Sequence, residues 1–407
     1  MTETPEVLVV GGGATGTGTL RDLTLRGIDA MLVDRAGLAG GTSGRSHGLL
    51  HSGARYAQQD PIGARDCIRE NRTLRRIAGE CIHETGGLFV QLADDDPAYF
   101  EEKRAACEEV GIDTSVISGK TARERVPELS SDVVRALLVP DAVIYPSRLV
   151  AANAADAASR GAAVHSHAPV EEFTLTDGQI TEVTIGGSVD EVIAPEYVVN
   201  ATGPWAGQVA SMAGVDVGMA PSRGVMIALE YDGLKPVLNR CRPPADGDII
   251  VPHESEAVVG TTSIPVSDPD DYEHAEWEVE QSIAECATML PPLAEAVTTR
   301  EWWGVRPLYA PDETGEDRRG ISRGFSVIDH TDAGVSNFVS VVGGKLTTYR
   351  EMAEAVTDQL CDRLGVDVEC ETATTELLAA EDPDRLDEFV TTFGEPNPTD
   401  ASVVSGD

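Results

Sequence analysis

A spaced glycine motif near the N-terminus constrains the fold of this chain more than any other feature. The motif reads GxGxxG and consists of Gly11, Gly13 and Gly16. It lies between Val7–Val10, which predicts a buried strand, and Thr17–Arg26, which predicts a helix. A second strand is predicted at 30–33 and ends at Asp34. This order predicts a βαβ unit in a doubly wound α/β sheet that binds a dinucleotide, because such glycines let the backbone approach a pyrophosphate and the acidic residue accepts hydrogen bonds from ribose.

Two later segments favour FAD over NAD as the dinucleotide. The segment 200–203, NATG, follows an apolar strand and matches the turn that flavoproteins of this kind place against the dinucleotide. Gly343 and Gly344 follow another apolar strand, and Lys345 then precedes a predicted helix. The N-terminal dipole of that helix would stabilise negative charge on a flavin ring. We therefore predict a Rossmann-like FAD-binding domain.

The segment Gly40–Tyr56 concentrates small and polar residues directly after the second strand. Its small residues predict backbone amides that reach the isoalloxazine ring, whereas His51, Arg55 and Tyr56 are predicted to face a substrate. The predicted cofactor-binding residues are Gly11, Gly13, Ala14, Thr15, Gly16, Asp34, Arg35, Gly41, Thr42, Ser43, His47, Gly48, Leu49, Ala201, Thr202, Gly203, Trp205, Gly344, Lys345, Leu346 and Thr347.

Composition narrows the class of protein further. The length of 407 residues predicts two or three domains, and no apolar run reaches the roughly 18 residues of a membrane-spanning helix. The formal net charge is −38, with 69 acidic and 31 basic residues, and lysine occurs only at positions 103, 120, 235 and 345. This balance argues against nucleic acid as a partner. It is typical of salt-loving organisms, in which concentrated salt screens the repulsion between surface carboxylates.

The cysteines and the N-terminus indicate a cytoplasmic protein. The seven cysteines are scattered without CxxC or metal-ligand spacing, so we predict reduced thiols and neither a metal site nor an iron–sulfur cluster. Residues 1–6 lead into the first strand without the cationic and apolar segments of a secretion signal.

Changes in the pattern of predicted strands and helices along the chain predict a discontinuous cofactor domain with an inserted mixed-sheet substrate domain. The cofactor domain is predicted at 1–88, 142–219 and 325–370. The substrate domain is predicted at 89–141 and 220–324, with strands at 225–229, 248–251 and 257–260 and a helix at 275–289. Residues 371–407 are rich in Glu, Asp, Pro and Thr, which predicts an acidic linker or the start of a further region, with one short helix near 386–393.

Four segments resemble the FAD-dependent glycerol-3-phosphate dehydrogenases, a branch of flavin oxidoreductases whose fold is similar to D-amino-acid oxidase. They are HGLLHSGARY at 47–56, DGDIIVPHESEAVVGTTS at 246–263, GVRPL at 304–308 and GGKLTTYR at 343–350. The chain looks most similar to the catalytic A subunit of the anaerobic three-subunit enzyme. The resemblance implies oxidation of sn-glycerol 3-phosphate to dihydroxyacetone phosphate, partner B and C subunits, indirect transfer of electrons to quinone, and a location at the inner face of the membrane.

A phosphate substrate requires fixed cations, and the predicted phosphate ligands are Arg55, Arg306 and Lys345, with Tyr56 beside them. Removal of a hydride from a secondary alcohol also requires a base for the hydroxyl proton, and His51 is the candidate. Covalent attachment of the flavin and a purely structural role are the alternatives for His51. The predicted catalytic residues are therefore His51, Arg55, Arg306 and Lys345.

The chain departs from the family pattern at two places. Aerobic members carry a histidine after the Arg-Gly of the segment 221–227, whereas Val225 and Met226 follow here, so the identity of the base stays open. The catalytic subunit of the three-subunit family normally continues into a cysteine-rich iron–sulfur domain, but this sequence ends at Asp407 without paired cysteines. A truncated chain and a different electron route are both compatible with that ending.

Two other functions compete with this interpretation. A flavin dehydrogenase or oxidase of a 2-hydroxy acid or an amine would use the same fold, but its substrate needs a single carboxylate clamp. A non-catalytic FAD subunit that relays electrons would keep the glycine motif and need no substrate cations. The cations of HSGARY, GVRPL and GGK favour a phosphate substrate over both.

Overall fold

The computed structural model of this chain describes residues 3–310 and 324–404. Residues 311–323 of the predicted substrate domain, 1–2 of the predicted cofactor domain and 405–407 of the predicted tail lie outside the described residues. In chain order the strands are β1 (Val7–Val10), β2 (Ala30–Val33), β3 (Leu49–Leu50), β4 (Ile82–His83), β5 (Gly87–Leu92), β6 (Ser115–Ser118), β7 (Val133–Val139), β8 (Ala142–Ile144), β9 (Ala163–His165), β10 (Val170–Thr176), β11 (Gln179–Ile185), β12 (Glu191–Ile193), β13 (Tyr197–Asn200), β14 (Ser222–Glu230), β15 (Val237–Arg240), β16 (Ile249–His253), β17 (Glu256–Gly260), β18 (Ile264–Pro265), β19 (Thr298–Arg306), β20 (Phe325–Asp329) and β21 (Phe338–Gly343). The α-helices are α1 (Ala14–Leu25), α2 (Pro61–Ile77), α3 (Pro97–Glu109), α4 (Gly119–Arg125), α5 (Pro146–Ser159), α6 (Ala206–Met212), α7 (Glu276–Ala287), α8 (Tyr349–Leu364) and α9 (Pro383–Phe393).

The first sheet is built around β1 and contains the predicted βαβ unit. Its strand order is β20-β21-β13-β1-β2-β9, and neighbouring strands are parallel except that β20 runs antiparallel to β21. The strands predicted at 7–10 and 30–33 have those bounds in the structure. Helix α1 begins at Ala14, earlier than predicted, because the extended Gly13 caps the helix directly after the glycine turn.

Helices cover one face of the first sheet, and a small sheet with one helix covers the other. On the first face α1 packs against α5 and α8 around a core that includes Leu20, Leu149 and Val356. On the second face β10, β11, β12 and α6 enclose Phe173 and Phe338. Both faces are therefore buried, which matches the continuous apolar runs of the central strands.

The second sheet is mixed and forms most of the predicted substrate domain, which is called the cap below. Its order is β18-β14-β17-β16-β15-β5-β7-β6, β19 also pairs with β14, and only β15 and β5 among these neighbours are parallel. The strands predicted at 225–229, 248–251 and 257–260 correspond to β14, β16 and β17, and the predicted helix corresponds to α7. Gly224 of β14 lies opposite Gly304 of β19. A Cβ at Gly304 would lie 2.5 Å from the carbonyl oxygen of Arg45, so the second sheet packs closely against the loop that follows β2.

The segment from 371 to 404 is packed structure rather than the linker that its composition predicts. Helix α9 buries Leu386 and Phe389 against the core beside α5. Asp387 forms a buried ion pair with Arg148 at 2.7 Å. The composition misleads here because the acidic residues that indicate a linker include carboxylates with buried partners. Within the described parts of the chain, no helix has the length and apolar composition needed to cross a membrane.

Candidate active site

The glycine turn closes tightly and leaves the N-terminus of α1 facing a cavity. Gly11 has φ +112°, and a Cβ there would lie 2.6 Å from the carbonyl oxygen of Ala201. A Cβ at Gly16 would lie 1.8 Å from the carbonyl oxygen of Gly11, so helix and turn touch without a side chain between them. Each position therefore requires glycine, and the residues at the helix start, Gly13 to Thr15, line the cavity at the positive end of the helix dipole.

Asp34 is held at the end of β2 by two backbone amides. Its carboxylate accepts hydrogen bonds from the N–H groups of Gly12 at 2.6 Å and Ala36 at 2.7 Å. Burial raises the pKa of the Asp34 carboxyl above its usual range. The side chain lines the same cavity as the glycine turn, where it can accept from a ribose hydroxyl.

The cavity beside the turn has a volume of about 680 Å³ and extends from β1 to the start of α8. Most of the predicted cofactor residues line it, namely Gly11, Gly13, Ala14, Thr15, Asp34, Arg35, Gly41, Thr42, Ser43, Ala201, Thr202, Gly203, Trp205, Gly344, Lys345 and Leu346. Gly16, Gly48, Leu49 and Thr347 line neither this cavity nor its neighbour, and His47 lines the neighbour. An elongated cavity with a glycine turn, an acidic ribose site and a second glycine turn fits FAD.

One residue that the sequence analysis missed, Asp270, joins two predicted cofactor residues that line this cavity. Arg35 forms an ion pair with Asp270 at 2.5 Å, and its guanidinium lies 4.4 Å from the ring centroid of Trp205. The indole N–H of Trp205 donates to the same carboxylate at 2.9 Å. Asp270 belongs to the loop between β18 and α7, so the cap contacts the cofactor domain here. Nothing in the acidic segment around 270 distinguishes this carboxylate from a solvated one.

A smaller cavity of about 310 Å³ adjoins the first and contains the predicted substrate residues His51, Arg55, Tyr56 and Arg306. The two cavities share Thr42, Arg45, Ser46 and Val305 as lining residues. Lys345 lines the larger cavity, and its Nζ lies 4.8 Å from the ring centroid of Tyr56. The structure therefore brings the predicted substrate residues together where the cavities meet, although they lie up to 294 positions apart in the sequence, from His51 to Lys345.

Among the described residues, backbone and threonine oxygen atoms hold the guanidinium of Arg306. Its Nη1 donates to the carbonyl oxygen of Arg223 at 3.2 Å. Its Nη2 donates to Thr261 Oγ1 at 3.0 Å and to the carbonyl oxygen of Thr262 at 2.9 Å. A Cβ at Gly224 would lie 2.7 Å from Nη2, so the guanidinium packs directly against the backbone of β14.

Arg55 is held differently, through a buried carboxylate. Its Nη2 donates to Asp248 Oδ1 at 2.7 Å, and the Asp248 side chain is 1% exposed. The other oxygen of Asp248 accepts from the backbone N–H of Ala245 at 2.9 Å. Behind the loop, the buried Lys103 donates from Nζ to the carbonyl oxygens of Ala54 at 3.0 Å and Arg55 at 3.3 Å. Arg55 is thus fixed at both its side chain and its backbone.

The two histidines of the loop differ in their surroundings. Burial, with the charges of Arg306 and Arg55 nearby, lowers the pKa of His47 to about 3, so this ring is neutral at physiological pH. His51 Nε2 lies 3.5 Å from the hydroxyl oxygen of Tyr56, and the His51 backbone N–H donates to Thr347 Oγ1 at 3.1 Å. Met226 lines the smaller cavity. Met226 lies in the segment where aerobic members carry a histidine, and its thioether cannot act as a base. Of the two histidines of the loop, His51 is therefore the better candidate for the base, because His47 has the lowered pKa.

Comparison with known families agrees with this geometry. The family described as FAD dependent oxidoreductase matches residues 6–359, and this chain belongs to that family. The prediction of FAD and of the fold class is thereby confirmed. A Haloferax volcanii protein named as the A1 subunit of anaerobic glycerol-3-phosphate dehydrogenase is 48% identical over 409 residues, covering 97% of this chain and 70% of that protein. The Escherichia coli K12 protein named as the A subunit of anaerobic glycerol-3-phosphate dehydrogenase is 38% identical over 388 residues, covering 94% of this chain and 71% of that protein.

Solved structures share the architecture at lower identity. The L-proline dehydrogenase from P. horikoshii superimposes with a TM-score of 0.74 at 19% identity, covering 89% of this chain and 95% of that one. The glycerol-3-phosphate dehydrogenase from Bacillus halodurans complexed with FAD gives a TM-score of 0.70 at 24% identity, covering 96% of this chain and 76% of that one. At these identities the similarity establishes the fold alone, which hosts both amine and alcohol oxidation.

Proposed function

We propose that this chain oxidises sn-glycerol 3-phosphate to dihydroxyacetone phosphate with FAD as the oxidant. The observation that carries the proposal is that Arg55 and Arg306 line one small cavity, while Lys345 of the adjoining cofactor cavity lies beside Tyr56 of the small one. The names of the Haloferax and Escherichia relatives support the same substrate. A phosphate dianion needs more than one fixed cation, whereas a carboxylate needs a single clamp.

The two arginines would contribute to phosphate binding in different ways. Asp248 already compensates the charge of Arg55 at 2.7 Å, so Arg55 would supply directed hydrogen bonds more than net charge. Arg306 is oriented by the oxygens of neighbouring backbone and threonine groups and lines the small cavity, where its guanidinium would donate hydrogen bonds to the phosphate. Such preorganised cations bind phosphate without the entropic cost of ordering a long side chain at the moment of binding.

His51 would accept the proton of the substrate hydroxyl as the carbonyl forms. Its imidazole lines the small cavity and lies beside the Tyr56 hydroxyl, whereas His47 has a pKa of about 3 and is too weak a base at neutral pH. Bound FAD would supply the oxidising power by accepting a hydride from the substrate carbon. The glycine turns and Asp34 would hold FAD, and the cap loop with Asp270 would limit access of water to it.

The electrons would leave through partner subunits. Both relatives carry names that make them one subunit of an anaerobic enzyme, so we infer that this chain acts with B and C subunits at the inner face of the membrane, with quinone as the indirect acceptor. The charge of −38 and the Haloferax relative support a cytosol rich in salt as its environment.

Anaerobic mixing of the purified FAD-loaded chain with glycerol 3-phosphate in molar salt tests the proposal. We expect rapid loss of the flavin's oxidised absorbance band, with no loss on mixing with L-2-hydroxyglutarate or an amino acid. Bleaching by one of those compounds, but not by glycerol 3-phosphate, would assign the carboxylate alternative instead. Bound FAD that none of these compounds bleaches would indicate a subunit that only relays electrons.

A further inference from the structure

A buried carboxylate on the cap helix α7 lies behind Arg306 without lining the substrate cavity. Glu278 is fully buried. Its Oε1 accepts a hydrogen bond from Thr262 Oγ1 at 2.6 Å, and its Oε2 lies 3.0 Å from Nη2 of Arg223. The Arg223 side chain is 6% exposed, so this ion pair lies in the core of the cap.

The two partners of Glu278 are also the two residues whose backbone carbonyls orient Arg306. Arg223 and Thr262 each contact Glu278 through the side chain and Arg306 through the main-chain oxygen. Arg223 belongs to β14, whereas Thr262 follows β17, and α7 therefore connects two separate elements at one point. Thr262 Oγ1 also accepts from the backbone N–H of Val225 at 3.2 Å, which joins these elements directly.

We propose that Glu278 is a positioning residue that fixes the direction of Arg306 toward the anionic end of the substrate. This inference rests on the proposed function, because it assigns to Arg306 the binding of the substrate phosphate. A buried ion pair is expensive to desolvate, so its presence here is better explained by the geometry that it imposes than by stability. The pairing of β14 with β17 and the bond from Val225 N–H to Thr262 Oγ1 remain without the carboxylate, but Arg223 and Thr262 lose the group that fixes their side chains. Small shifts of these two residues would then move the two carbonyl oxygens that hold the guanidinium.

The arrangement predicts a specific kinetic signature. Glu278 does not contact the reacting atoms, so its loss should weaken binding of the anionic group and leave the chemical step almost unchanged. Stopped-flow reduction of the FAD-loaded chain by glycerol 3-phosphate measures both quantities, as the half-saturating concentration and the limiting rate. For Glu278→Gln we expect the half-saturating concentration to rise about tenfold, with the limiting rate within about threefold of the original.

Because Glu278→Gln leaves Arg223 buried without a compensating charge, a second variant is needed that keeps the ion pair. Thr262→Val keeps the ion pair and removes the hydroxyl that contacts Glu278, together with its bond from the backbone N–H of Val225, and we expect the same rise in half-saturating concentration. Thr262→Ser restores the hydroxyl and should return the value close to that of the original chain. Asp95→Asn is the matched control, since Asp95 forms a buried pair with Arg240 at 2.9 Å in the same sheet and lines neither cavity.

An unchanged half-saturating concentration in Thr262→Val, or a fall in limiting rate alone, overturns the assignment of Glu278, and so does an equal rise in Asp95→Asn. If Glu278→Gln does not fold, the Thr262 pair of variants still gives the answer. If glycerol 3-phosphate does not reduce the original chain, the proposed function has failed, and this inference fails with it. If it reduces the original chain but the variants do not change as expected, only the assignment of Glu278 has failed.

Discussion

Replacement of Arg306 by alanine gives a quantitative test of the phosphate assignment. Three hydrogen bonds of 2.9 to 3.2 Å to described residues orient the guanidinium, and the phosphate assignment has it contact the phosphate through two donors. Two charge-assisted hydrogen bonds contribute about 4 kcal/mol together. Because about 1.4 kcal/mol corresponds to a factor of ten, kcat/KM for glycerol 3-phosphate should fall by roughly a thousandfold.

The assay compares glycerol 3-phosphate with glycerol, which lacks the phosphate. The original chain should strongly prefer the phosphate ester, and Arg306→Ala should lose most of that preference because only one substrate presents the group that Arg306 contacts. Arg300→Ala is the matched control, since Arg300 lies on the same strand β19 and pairs with Glu256 at 2.6 Å away from both cavities. An equal loss for both substrates, or no loss for either, would refute the assignment.

Three further predictions concern His51 in the loop 40–56, Asp400 in the C-terminal segment and the acidic surface of the protein. His51→Asn should lower the limiting rate of flavin reduction by about a hundredfold or more while FAD stays bound, as measured by stopped-flow absorbance. FAD that stays attached to the denatured original chain but not to the variant would instead assign His51 to covalent attachment. Burial raises the pKa of Asp400 to about 6, so the folded state binds more protons than the unfolded state between about pH 4 and pH 6, and this group's contribution to stability falls as pH rises through that window. Between pH 4 and pH 7 the unfolding free energy of the original chain should therefore fall by about 2 kcal/mol more than that of Asp400→Asn. Denaturant titrations of both proteins measure this difference, and an identical pH dependence would contradict the prediction. The melting temperature should rise steeply between 0.1 M and 2 M salt because salt screens the net charge of −38, and a chain equally stable without added salt would exclude halophilic adaptation.

Local patterns of the sequence predicted the N-terminal βαβ unit well. The glycine motif demands particular backbone geometry, so β1 and β2 have the predicted bounds, whereas α1 starts three residues earlier and ends one residue earlier than predicted. The predicted substrate residues also meet at one place. Their meeting could be predicted only through the family resemblance, because no local pattern relates His51 to Arg306.

The C-terminal segment shows where composition fails. Thr399 Oγ1 donates to the carbonyl oxygens of Gly44 at 2.8 Å and Ser46 at 2.6 Å, so this segment supports the loop that lines both cavities. Asp400 accepts from the hydroxyl of Ser147 at 2.7 Å and the backbone N–H of Ser147 at 2.9 Å. Long-range contacts of this kind depend on which neighbours the fold supplies, and the acidic composition of the segment gives no sign of them.

The same acidic bias hides the carboxylates that matter most at the site. Asp248, Asp270 and Glu278 each form an ion pair with an arginine beside a cavity. The sequence contains 69 acidic residues, and no local pattern distinguishes these three from the others. Lysine gives the opposite case, because the chain has almost none. Of its four lysines, Lys345 lies at the junction of the cavities and Lys103 is buried beneath the substrate loop, while the remaining two are exposed. In this chain, the two lysines that are not exposed therefore both lie at the site or directly beneath it, although the other two have no such place.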